Sequence, residues 1–131
     1  MENKYVKVLM IEPMKYPTVS YLDSSMQGLR NAVSIDAIDV GNVRAKKINK
    51  DVYIIFNSDM FFAGLEGNRR VGNDIIAGIF YVLGVDKSYH PRSLTKEELI
   101  QYANLFWEPE IFDDGELVQA NLDSMLFREI V

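Results

Sequence analysis

Residues 64–84, GLEGNRRVGNDIIAGIFYVLG, decide how the rest of the sequence is read. The stretch opens with polar residues spaced by glycine: Gly64, Gly67, Asn68, Arg69, Arg70, Gly72, Asn73 and Asp74. It then passes into the strongest apolar run of the chain, residues 75–83. Glycine and asparagine tolerate the backbone angles of turns, so the first half reads as a charged loop. A short apolar run bounded by glycine suits a buried strand, with Gly78 allowing a neighbour to approach closely. The expectation is a mobile loop on a rigid central strand, the arrangement in which binding groups concentrate.

Working outward towards the N-terminus, residues 5–11 (YVKVLMI) form a strand candidate, stopped by Glu12 and Pro13. Residues 18–22 (TVSYL) alternate and complete a hairpin with it. Asp23, Ser24 and Ser25 offer a helix cap, and Met26, Leu29, Ala32 and Val33 recur at helical spacing. Residues 34–40 alternate as a strand with one wet face. Gly41 and Asn42 turn the chain, and Arg44, Lys46, Lys47 and Lys50 make a basic loop or edge strand. Residues 52–56 (VYIIF) are a strand, followed by a turn and the apolar residues 60–63.

Towards the C-terminus, Thr95 and Glu98 have the spacing of a capping box, in which each side chain bonds the other's backbone amide. Leu99, Tyr102, Ala103 and Phe106 form the apolar stripe of the helix they start. After an acidic loop, residues 117–130 support a last amphipathic helix through Val118, Leu122, Met125 and Leu126. The order β-β-α-β-β-β-α-α predicts an α+β fold. Its core would be one mixed sheet of about five strands, with helices mainly on one face. Residues 1–107 read as one domain, and residues 108–131 as an acidic loop and helix packed on it.

Composition bounds the function. At 131 residues, with 48% hydrophobic and 25% charged residues, the chain can bury a core without staples. Absence of cysteine excludes a disulfide framework, a thiolate metal site and a cysteine nucleophile. The longest apolar run, about nine residues, is far short of the roughly twenty that cross a bilayer, and a cytoplasmic location is expected. The net charge of −5 divides into +3 over residues 1–50 and −8 over residues 51–131. After Lys96 nine carboxylates face Arg128 alone, a balance that disfavours direct nucleic-acid binding. Such a face either keeps the protein soluble or meets a basic partner, in the extreme by imitating DNA.

The candidate site residues follow. Asn68, Arg69 and Arg70, with Asp74, could grip a carboxylate or phosphate, since arginine offers a planar fork of donors. The competing reading is a turn whose arginines pair with Glu66 and Asp74. The glycines lack the lysine and hydroxyl of a P-loop and lead into a strand, which argues against nucleotide chemistry. Trp107 and Phe112, set among Asp113, Asp114 and other acids, are candidate partner contacts, with packing on the sheet as the alternative. His90 is the only histidine, and the acids of residues 108–116 lack the order of a calcium loop. No cofactor, metal or catalytic residue is expected.

Four groups of residues, in this order and spacing, resemble a family of small proteins of unknown function, the domain of unknown function 3846 type. They are the opening strand into Glu12 and Pro13 with Lys15 and Pro17; Asn68 with Arg69; Asp74 to Gly78 with Ile79 and Phe80; and the helix carrying Leu94, Thr95, Glu98, Tyr102 and Phe106. Such proteins are encoded by phages, plasmids and conjugative elements of Gram-positive bacteria. The residues before Asn68 and the acidic extension after Trp107 depart from the pattern. The resemblance implies a mobile-element origin and carries over no catalytic residue. The expected function is therefore a non-enzymatic accessory protein that binds a host or mobile-element protein. One form would inhibit a basic, nucleic-acid-handling protein of host defence. The alternative is a small-molecule or nucleotide binder, or an enzyme, that uses residues 64–74.

Overall fold

The computed structural model describes residues 4–34, 43–60 and 64–130, the last seven as backbone only. Apart from Ser34, which caps the helix before it, the strand expected at residues 34–40 lies outside the described residues, as do the aromatic residues at 61–62 and the side chain of Phe127. In β1 (Tyr5–Ile11) alternate side chains go to opposite faces, and both faces are covered. Val6 and Val8 enter one apolar cluster, while Leu9 and Ile11 enter another. That explains why β1 is nearly continuously apolar: it lies inside the fold rather than on one wet face.

β1 pairs with β2 (Thr18–Asp23) on one side and with β7 (Phe80–Val85) on the other. β7 pairs in turn with β4 (Val52–Asn57), and β4 with β3 (Val43–Asn49). The sheet order is β2-β1-β7-β4-β3, and two-residue β8 (Pro91–Arg92) adds to the end of β7. Every pairing is antiparallel, where the sequence predicted a mixed sheet. The fold class is α+β.

Three helices complete it. α1 (Met26–Val33) begins at Ser25, whose hydroxyl accepts from the Gly28 amide at 3.0 Å. It lays Leu29 and Val33 on Val8, Ile55, Tyr81 and Leu83. α2 (Lys96–Leu105) begins at the predicted capping box of Thr95 and Glu98 and covers the opposite face with Tyr102 and Phe106. Helices therefore sit on both faces, not on one. Phe106 meets Phe80 edge-on, centroids 5.3 Å apart at 81°, a geometry worth about 0.5–1.5 kcal/mol beyond its burial. α3 (Asp114–Ile130) starts three residues earlier than the expected 117.

The largest departure from the sequence reading is in the quoted stretch itself. Residues 75–83 are not one central strand. They divide between β6 (Asp74–Ala77) and β7, which belong to different sheets. The break is at Gly78, φ 75°, where an added Cβ would lie 2.6 Å from Leu65 Cδ1. Glycine is needed there both for the left-handed backbone and for the space. Nor is the segment before it a mobile loop. β5 (Gly67–Val71) pairs with β6 across a two-residue turn, Gly72 and Asn73, as a separate hairpin. That hairpin adds Val71, Ile76 and Ala77 to the core beside α2.

Candidate functional site

Asn68 and Arg69, expected in a solvent-facing loop, are 0% and 1% exposed. The Asn68 amide donates to the Ile11 and Gly78 carbonyls, both at 2.8 Å. Arg69 Nε donates to the Phe106 carbonyl at 3.1 Å, Nη1 to Asn68 Oδ1 at 2.7 Å, and Nη2 to the Lys15 carbonyl at 2.6 Å. Among the described residues no carboxylate is in ion-pair contact with it. Burial lowers the guanidinium's pKa from its ordinary value, while Glu110 pulls the other way. Arginine holds its proton regardless.

What Arg69 does is mechanical. It ties together the β1–β2 connection, the β5–β6 hairpin and the end of α2. α2 has acids in its first turn and no basic residue in its last. Its C-terminal carbonyls therefore lack a local cation, and Arg69 supplies one from β5. At the end of α1, whose last turn carries Arg30, the neutral amide of Asn57 donates to the Val33 carbonyl at 2.9 Å.

Arg70 and Asp74 take the other side of the hairpin. The Arg70 guanidinium lies 5.6 Å from the Phe112 ring centroid and 3.8 Å from Glu116. Its amide donates to Glu110 at 3.1 Å. Asp74 pairs with Lys46 at 2.7 Å. Phe112 and Leu117 close on the hairpin at Gly67, where a Cβ would stand 2.8 Å from Phe112 Cδ2. Asp113 and Glu116 accept from each other's amide at 2.7 and 3.1 Å, which caps α3. Asp114, in the first turn of α3, is exposed.

Between β3, this hairpin and α3 lies a cavity of about 690 Å³. Phe56, Met60 and Ile76 form its apolar floor, and Arg44 and Lys46 line one wall. α3 presents Glu116, Gln119, Ala120 and Asp123 to it, which the helical repeat places on one face. Val118 and Leu122, two residues of the apolar stripe expected to bury α3, are 58% and 47% exposed and face solvent instead.

Trp107 is 46% exposed and stacks on Tyr16, centroids 4.7 Å apart. Tyr16 lies two residues before the first residue of β2, an edge strand whose Val19 and Tyr21 are 55% and 61% exposed. α2 covers the centre of the sheet and leaves these two uncovered. The opposite edge, β3, carries Arg44, Lys46 and Lys47 and a register shift between Lys47 and Asn49. Tyr16, Val19, Tyr21, Arg44 and Lys46 were not among the candidate site residues read from the sequence, where Arg44 and Lys46 stood only for a basic loop or edge strand. The alternation Val19, Tyr21 was legible, but it looks the same whether the pair is buried or bare.

Among the described residues no three His, Asp or Glu side chains converge as for a metal ion, and no helix is long and apolar enough to cross a membrane. The architecture is thus an α+β domain built on an antiparallel sheet with one helix on each face. Residues 6–107 match the domain of unknown function DUF3846, and the chain belongs to that family. α3 lies beyond the match. No curated protein and no solved structure matches the chain significantly.

Proposed function

We propose that this is a non-enzymatic accessory protein that works by binding another protein, which adds a strand to β2. One observation carries the reading: the two edges of the sheet are finished differently. Exposed strand edges invite pairing, and proteins blunt them with lysine, proline or bulges. β3 has basic residues and an irregular register, whereas β2 runs six residues in regular register. Within β2 the only charge is Asp23, at its end. Val19 and Tyr21 offer apolar side chains to an incoming strand, and the Tyr16–Trp107 stack flanks its start. Strand addition uses main-chain bonds for affinity and alternate side chains for selectivity.

The resemblance to proteins of phages, plasmids and conjugative elements supports a mobile element as the source and a host or mobile-element protein as the partner. A basic DNA-handling partner fits the acidic C-terminal segment. Charge imitation of DNA is the less favoured mode, because Glu98, Glu110, Asp113 and Glu116 are engaged within the chain.

The test is capture from a bacterial host with tagged wild-type protein and with a Val19→Lys, Tyr21→Lys variant. The expected result is a partner retained by the wild type, lost by the variant, and protecting β2 amides from hydrogen exchange in the purified complex. Retention by both, with protection confined to α3, would overturn strand addition. Dissociation of such a complex on adding salt would then favour charge imitation.

A further inference from the structure

The cavity beside α3 has an unusual construction for a gap between packed elements. A helix on a domain normally turns its apolar side inwards. α3 departs from this over residues 116–123: Leu117 meets the hairpin at Gly67, but Glu116, Gln119 and Asp123 point into the cavity and Val118 and Leu122 are left outside. Ala120, the small residue among them, leaves the middle of that wall open. Opposite stand Arg44 and Lys46 on β3, above a floor of Phe56, Met60 and Ile76.

β3 brings basic side chains to this space, α3 acidic ones and the hairpin one of each, Arg70 and Asp74; among the described residues two of these charges lack an opposite partner. Lys46 is paired with Asp74, and Arg70 is near Glu116. Among the described residues Arg44 has no carboxylate within ion-pair distance. Among the described residues Asp123 meets the Gln119 amide, at 2.9 Å, and no cation. One wall therefore ends in an available guanidinium and the other in an available carboxylate, with apolar surface between them. At about 690 Å³ the space is of ligand-binding size.

The geometry points to a binding site for a small zwitterion with an apolar body, of the kind an unblocked apolar dipeptide represents. Its anionic group would bond to Arg44, its cationic group to Asp123, and its side chains would rest on Phe56, Met60 and Ile76. α3 follows the residues that match the family, so this site would be a property of the extended chain and not of the family domain alone. Ligand size and charge separation set the selectivity, since a singly charged analogue leaves one wall without a partner.

The experiment titrates full-length protein with Leu-Phe, with its N-acetyl form and with its C-terminal amide, followed by amide NMR shifts. Wild-type protein should show saturable shifts at the cavity residues with Leu-Phe. Asp123→Asn should weaken Leu-Phe roughly tenfold and leave the N-acetyl form unchanged; Arg44→Gln should do the same with the amide as the insensitive form. Both residues are on the surface, and far-UV circular dichroism checks that the variants fold. Absence of saturable shifts with Leu-Phe would overturn the site, as would equal losses for all three peptides. The Val19→Lys, Tyr21→Lys variant should bind Leu-Phe normally, which separates this result from the fate of strand addition at β2.

Discussion

β2 and β3 are the two ends of one sheet, yet they meet their surroundings in opposite ways. β3 stands beside the β5–β6 hairpin and α3, carries three basic side chains and is joined to Asp74 by the Lys46 pair. β2 is joined only to β1 among the described strands, and its outward side chains on the α2 face are Val19 and Tyr21. An edge strand costs little to leave bare in isolation but a great deal through unwanted pairing. A regular, apolar edge persisting beside a guarded one is the contrast that supports the proposal of strand addition. The difference also shows where each edge draws its support. β3 is held by charge at the surface, whereas β2 is held at its entry by Arg69, buried in the interior.

The comparison can be broken most severely at Arg69. Arg69→Met should lower stability by roughly 3–5 kcal/mol, because the Phe106 and Lys15 carbonyls lose their donor in a buried setting. Urea unfolding measures the loss. Native-state hydrogen exchange should show β2 amides losing protection before those of β3; a uniform loss would mean that Arg69 supports the whole core equally.

A smaller effect is expected at Glu98, remote from both edges. Arg92 holds it by two bonds, Nη1 to Oε1 at 2.8 Å and Nη2 to Oε2 at 3.0 Å. Those bonds lower the Glu98 pKa from 4.5 to about 2. A carboxylate lowered in the folded state contributes stability above its unfolded value that is lost as protons bind. That contribution is therefore complete above pH 4.5 and disappears as pH falls towards about 2. Glu98→Gln should cost about 1–2 kcal/mol at pH 7, less than the full shift implies because the pair is partly solvated. The variant should lose less stability than wild type between those pH values; parallel pH curves would remove Glu98 as the cause.

Guarding β2 tests the contrast directly. Val19→Lys with Tyr21→Lys should reduce partner binding at least about tenfold while changing stability by less than about 0.5 kcal/mol, as exposed substitutions do. A large loss of thermal stability would show that the two side chains belong to the core after all. The smallest effect is on the guarded edge. Lys46→Ala removes one exposed ion pair with Asp74 and should cost about 0.2–1 kcal/mol at low salt, vanishing as salt is raised. A loss unaffected by salt would mean that the Lys46 stem, not its charge, supports the hairpin.

Much of the fold is legible where a local rule suffices. The apolar strands β1 and β4, the alternating strand β2, the Ser25 cap and the capping box of Thr95 and Glu98 all concern residues within a few positions of each other. The candidate site was legible only in part. Arg70, Asp74, Phe112 and Asp113 do come together around the β5–β6 hairpin and α3, but Trp107 lies with Tyr16 at the entry to β2. Asn68 and Arg69 read as loop residues because polar side chains beside glycine are ordinarily solvated. Their burial depends on carbonyls at Ile11, Lys15 and Phe106, which no local pattern announces.

The sequence by itself determined the α+β composition, the starts of two helices and the continuous apolar character of the central strands. These follow from side-chain periodicity and from hydrogen bonds that close within three or four residues. Only the tertiary structure decided that residues 75–83 belong to two sheets, that helices cover both faces, and that β2 pairs only with β1 among the described strands. Those outcomes depend on which distant surfaces meet. An apolar run has the same affinity for any apolar surface, and a strand's outer face is dry or wet according to how far the covering helix reaches.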